Sequence, residues 1–128
     1  MNPTIAARLF GALIGATVAF QLALALGAPW GHLAWGGAYA GALPTTMRLA
    51  SLASVTLLLA LAAVVLIRAG MTGLRWKPAS TKLVWLVVAY CGLGVIANAM
   101  SPSFWERVIW VPVTLTLLAC SLVVARSR

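Results

Sequence analysis

Residues 48–68 read RLASLASVTLLLALAAVVLIR, nineteen uncharged residues held between two arginines. At about 1.5 Å per residue, such a run matches a hydrocarbon core of about 30 Å. Inside that core a helix is the form in which one segment satisfies all of its own backbone groups. Working outward, three more stretches share this character, and the apolar segments cover about residues 5–27, 47–67, 82–100 and 104–125. The expected fold is all-α: an integral membrane four-helix bundle, one membrane domain over residues 1–128. Arg8 before an apolar run and the small residues Ala23-Leu24-Ala25 resemble a cleavable signal. The run from Leu9 to Leu26 exceeds the usual core of about 7–15 residues, so a retained helix is expected.

Composition supports the same class. The chain is 63% hydrophobic and 8% charged, against about 45–50% and about 25% in soluble domains. A net charge of +8 would suggest nucleic acid in a soluble protein, where clustered cations neutralise phosphates. Here the cations flank apolar segments instead, so no nucleic-acid partner is expected and membrane lipids are. Arg8, Arg68, Arg75, Lys77, Lys82, Arg126 and Arg128 fall on one side of the four spans, and only Arg48 and Arg107 on the other. By the positive-inside bias both termini are cytoplasmic (N-in/C-in), in a multi-pass protein of the bacterial cytoplasmic (inner) membrane.

The connections differ in kind. Arg68 to Lys82 is a basic connector, with Gly70 and Gly73 to end one helix, Pro78 with Ser80 or Thr81 to begin the next, and Trp76 expected at headgroup level. Ala28 to Thr46 is rich in glycine and tryptophan and carries no charge beyond a protonatable His32. So apolar a stretch is expected in the interface or folded over the bundle, with Pro44 and the threonines after it starting helix 2. Ser101 to Arg107 is short, which makes segments three and four a hairpin. Ser103 and Glu106 there fit the S-x-x-E capping box, in which each side chain satisfies the other's backbone N–H.

Helix 1 carries Ala7, Gly11, Gly15, Ala19, Ala23 and Gly27 at four-residue spacing. Small residues on one stripe let another backbone approach, so Gly11 and Gly15 are expected at a helix-packing face. That face serves this bundle, a homodimer through helix 1, or a larger membrane complex. Cys91 and Cys120 lie within apolar segments, where free thiols act as small hydrophobes.

Polar residues gather at one depth on the outer side: Gln21, Arg48, Ser51, Asn98, Ser101, Glu106 and Arg107, with His32 and Tyr39 in the loop above. Polar groups at membrane depth are costly and face each other or a cavity. The candidate ligand-binding residues are therefore Gln21, His32, Arg48, Asn98, Glu106 and Arg107. Glu106, the sole acid, reads as a proton carrier, general acid/base or cation ligand, or as a helix cap paired with Arg48 in preference to Arg107. His32, the sole histidine, reads as a general base or pH sensor, or as a loop residue bonded to backbone or lipid. Asn98 offers a ligand amide or an interhelical hydrogen bond, and Pro112 favours a kink in helix 4. Trp30, Trp35, Trp105 and Trp110 fit an aromatic belt.

Serine-nucleophile, P-loop and dinucleotide motifs are absent, as are paired carboxylates and a zinc-spaced Cys/His cluster. No catalytic residue, metal or cofactor is expected. In size and span count the chain resembles the small multidrug-resistance exporters and fluoride channels. It lacks the exporters' first-helix glutamate and the channels' glycine-arginine signature. Residues 29–37, Leu43-Pro44 with Arg48, and Asn98 with Ser101 to Arg107 look like signature positions of small four-span proteins of bacterial inner membranes, a likeness that implies the fold and attaches no activity. The expected function is non-enzymatic: an outer-half pocket for a lipid or small amphipathic molecule, in a carrier or a subunit of a larger assembly. The rival expectations are proton-coupled transport through Glu106 and a membrane enzyme using His32 with Glu106. A green fluorescent protein fused behind the C-terminus should fluoresce and an alkaline phosphatase fused there should be inactive; the opposite pair would invert the topology.

Overall fold

The computed structural model describes residues 1–73 and 77–127, Lys77 by its backbone alone. Leu74, Arg75, Trp76 and Arg128 lie outside the described residues, and with them the placing of Trp76 and part of the charge count. The helices are α1 (Pro3–Ala25), α2 (Thr45–Arg68), α3 (Lys77–Ala99) and α4 (Phe104–Arg126). Each is long and apolar enough to cross a membrane, the arrangement of a multi-pass membrane protein.

Local chemistry sets the helix ends, which therefore differ by a few residues from the apolar segments. α1 begins at Pro3 because Asn2 caps it, accepting from the Thr4 N–H at 2.8 Å, and Pro3 loses nothing in a first turn whose N–H groups are unpaired anyway. α3 begins at Lys77, ahead of its apolar run, since Pro78 is tolerated in the first turn for the same reason. α1 and α2 end alike. Gly27 (φ 100°) and Gly70 (φ 72°) take left-handed conformations. The following N–H groups then turn back, Ala28 to the Ala23 carbonyl at 2.9 Å and Met71 to that of Leu66 at 3.0 Å. α4 runs through Pro112 as one helix.

The helices form an up-down-up-down ring in which α1 packs on α2 and α4, and α3 on α4 and α2, while α2 and α4 touch across the diagonal. The main core fills only the half that carries the termini. Ala6, Ala7, Phe10 and Ile14 of α1 meet Leu58, Leu61 and Val65 of α2, Val84, Val87 and Cys91 of α3, and Leu117, Cys120 and Val124 of α4. Both cysteines are free thiols within it. Arg68 reaches across to the Ser127 carbonyl and ties the end of α2 to that of α4. Outward, Leu86 and Leu93 are each 66% exposed, which suits a surface solvated by lipid tails and would be a liability in water.

The small-residue stripe of α1 divides. Ala7 is buried and Gly11 faces α2, where an added Cβ would lie 3.8 Å from Leu66, whereas a Cβ on Gly15 would meet nothing within 4 Å. Because the main core is confined to one half, truncation should be costly there and cheap on the lipid face. Phe10→Ala, at a fully buried position, should lose about 3 kcal/mol, and Leu93→Ala less than about 0.5 kcal/mol. Unfolding in mixed micelles measures both; equal losses would contradict this core.

Candidate functional site

At the opposite end the four helices line a half-open cavity of about 340 Å³. Its floor is the upper surface of the core: Ile14, Leu58, Leu61, Cys91 and Leu117. Above the floor, α1 contributes Thr17, Phe20 and Gln21, α2 contributes Ser54, and α3 contributes Tyr90, Gly94, Ala97 and Asn98. α4 adds Glu106, Trp110, Val113 and Thr114, and Ala34 and Trp35 of the long loop close the roof. Gly94 faces α4 at this level, where an added Cβ would lie 3.5 Å from the Thr114 methyl, in ordinary contact. Phe20 rests against Trp110 with ring centroids 4.8 Å apart, joining α1 to α4 at the roof.

Three hydroxyl groups of the cavity wall are paired within their own helices. Thr17 donates to the Leu13 carbonyl at 2.8 Å, Ser54 to Ala50 at 3.0 Å and Thr114 to Trp110 at 2.7 Å. Asn98 likewise donates its amide to the Gly94 carbonyl at 2.8 Å. Gln21 differs: its side-chain oxygen is buried with no hydrogen-bond partner, as is the Ser51 hydroxyl, which does not line the cavity. Such an atom is costly to leave unpaired.

The roof loop is held from three directions. A small second core of Leu24, Ala34 and Leu43 seats it on the end of α1. Within the loop the Gly31 N–H donates to the Gly41 carbonyl at 2.8 Å, an approach only glycine allows, because a Cβ on Gly31 would fall 1.9 Å from the Tyr39 carbonyl oxygen. The start of α4 supplies the third anchor. Ser103 donates to the His32 carbonyl at 2.8 Å, the Trp110 indole N–H to the Leu33 carbonyl at 2.7 Å, and the Glu106 carboxylate accepts from the Gly36 N–H at 3.0 Å.

Gly36 belongs to a left-handed turn, Trp35 (φ 54°), Gly36 (φ 70°) and Gly37 (φ 71°). Glycine adopts this region freely, but for Trp35 it costs about 1–2 kcal/mol. The turn aims an N–H at Glu106 and sets Trp35 over the cavity. Strained backbone persists where its surroundings over-determine it.

Of the residues expected to form a site, Gln21, Asn98 and Glu106 line the cavity; His32, Arg48 and Arg107 do not. His32 is exposed on the loop, anchored by its backbone carbonyl. Arg48 donates Nε to the Leu43 carbonyl at 2.9 Å and lies over Gly27. A cation there suits the negative end of the α1 dipole. Arg107 donates to the Ser101 carbonyl.

Two expectations for Glu106 are corrected. Among the described residues its carboxylate has no cationic partner within ion-pair distance; it accepts from Gly36 N–H and Ser101 Oγ–H instead. The capping box is only half formed. Ser103 Oγ accepts from the Glu106 N–H at 3.3 Å, but the Ser103 N–H goes to Ser101 Oγ at 3.1 Å, which leaves the carboxylate to the loop.

Sequence reasoning assigned Trp35 and Trp110 to an aromatic belt, yet both line the cavity and Trp110 pins the loop. The Trp35-Gly36-Gly37 run was the available signal, since paired glycines mark left-handed turns. Among the described residues no three His, Cys, Asp or Glu side chains converge as metal ligands. Comparison with known protein families, curated proteins and solved structures finds no match to this chain.

If these anchors hold the roof, Gly31→Ala should speed amide exchange throughout residues 31–41 by about tenfold or more, while Glu106→Ala should act chiefly at Gly36. Exchange–mass spectrometry in detergent reads both, and unchanged protection in either variant would contradict the anchoring scheme.

Proposed function

We propose that this protein binds a lipid or small amphipathic molecule in the loop-end cavity and acts as a carrier or as a subunit of a larger membrane assembly, without catalysing a reaction. The supporting observation is the cavity itself. It has about 340 Å³ of space, within the usual range of about 300–1,000 Å³ for ligand sites. An apolar floor lies under a rim of Gln21, Asn98 and Glu106, so a molecule with a tail and a small polar head matches it end for end. The buried, unpartnered oxygen of Gln21 adds a polar atom that a ligand would satisfy.

The same reading places the protein in a bacterial inner membrane with both termini cytoplasmic. Arg8, Arg68, Lys82 and Arg126 lie at the terminal end of the bundle and Arg48 and Arg107 at the loop end, which supports that orientation. The cavity would then open in the outer half of the bilayer.

Proton-coupled transport through Glu106 is the second reading, favoured by the one acid of the chain lining the cavity. The tie from that carboxylate to the roof gives it a structural role that needs no proton transfer, so this reading stands second. An enzyme using His32 with Glu106 has less support, since His32 is exposed outside the cavity.

Gly94→Leu fills the cavity from α3. Protein purified from native membranes should carry a small amphiphile in near-stoichiometric amount, detectable by mass spectrometry of the extract, and the variant should lose most of it. Equal loads in both proteins would refute the binding site. Proton-coupled uptake or resistance abolished by Glu106→Gln would favour the second reading.

A further inference from the structure

We infer that the polar head of the bound molecule is a cationic hydrogen-bond donor, an alkylammonium rather than an anionic or neutral headgroup. The inference rests on the binding reading above and concerns what the cavity selects.

The wall offers acceptors in surplus. A hydroxyl has one proton, and Thr17, Ser54 and Thr114 each give theirs to a carbonyl of their own helix, so only their lone pairs remain for a ligand. The Trp110 indole N–H is spent on the Leu33 carbonyl. Asn98 donates to the Gly94 carbonyl, and since only an amide nitrogen can donate, its oxygen is left uncommitted. Gln21 presents a buried oxygen with no partner at all.

Charge points the same way. Glu106 is the sole acid of the chain and lines the cavity. The Gly36 and Ser101 bonds to its carboxylate both use Oε2, so Oε1 is left for a ligand. Among the described residues no lysine or arginine lines the cavity. Arg48 and Arg107 share the loop end, but each is turned to a backbone carbonyl, Leu43 and Ser101, outside the cavity. Donors left over are the Gln21 amide nitrogen, the second Asn98 N–H, and the Tyr90 and Trp35 polar hydrogens. Tyr90 and Trp35 are 42% and 36% exposed, at the edge of the cavity. An ammonium has three donors and no acceptor, which answers an acceptor-rich, acid-bearing wall; a carboxylate or phosphate would meet like charge.

The test compares three probes of one chain length, nonylammonium, nonanol and nonanoate, titrated into full-length protein in phosphatidylcholine nanodiscs. Tryptophan fluorescence is the readout, with the Gly94→Leu protein as the partition control. Nonylammonium should bind at least about tenfold more tightly than nonanol, and nonanoate more weakly still, in line with a charge-assisted hydrogen bond.

Glu106→Gln should shrink that preference to within about threefold. Its amide oxygen can still accept from Gly36, so the roof stays held. Gln21→Leu, at a side chain that bonds nothing in the loop, should weaken the ammonium several-fold and nonanol by less, since an alcohol brings one uncharged donor. Equal affinities for the three probes, or a preference that survives both substitutions, would overturn the cationic assignment while the binding reading stands. No saturable binding that Gly94→Leu removes would overturn both.

Discussion

The bond from the Gly36 N–H to the Glu106 carboxylate joins a loop to the first turn of α4, seventy residues away, and fixes the left-handed turn of the cavity roof. A loop of tryptophan, alanine and glycine has no local reason to settle in one conformation. The sole carboxylate of the chain gives it one. It accepts an N–H made available by a left-handed turn, while Ser103 and Trp110 take the neighbouring carbonyls of His32 and Leu33. Each such pairing satisfies a backbone group of the loop that has no partner within it. Ser101 supports the arrangement by taking the Ser103 N–H and donating to Glu106, so that a residue placed to cap its own helix serves the loop instead.

The bundle has two halves with different packing. Toward the termini, Phe10, Val65, Val84, Val87, Cys120 and Val124 interlock as a dry core. Toward the loop, side chains on facing helices are small or paired to their own backbone, as with Gly94, Ser54 and Thr114, and space remains between them. Close packing in one half and a cavity in the other lets a rigid base present an open site. The strain of Trp35 and the unpaired oxygen of Gln21 both fall at that site, where departures from local optimum are expected if something is bound there.

The outward face needs no such economy. Leucines, isoleucines and valines cover it with no further partner in the fold, which is stable in hydrocarbon because lipid tails solvate them as well as another helix would. Arg48 illustrates the complementary rule at the loop end: its guanidinium donates to the Leu43 carbonyl and lies over Gly27, at the negative end of the α1 dipole.

The helices and their approximate spans were legible in the sequence because a membrane imposes one simple condition, an apolar run of sufficient length, and the stretch from Leu49 to Ile67 meets it residue by residue. The shared depth of Gln21, Asn98 and Glu106 was legible for the same reason, since depth follows from position along a span. Direction around the helix axis was not. Arg48 and Arg107 sit at the same level yet turn to backbone carbonyls, and Trp110 turns inward from what reads as an aromatic belt. Nor could local pattern reveal that Glu106 would leave half of its capping box for Gly36, because the competing partner arrives from a distant part of the chain. Sequence by itself determined which segments are helical and how deep each polar group lies, both being properties of single segments. Tertiary structure alone decided which of those groups share a cavity, because that depends on rotations and long-range hydrogen bonds that no single segment contains.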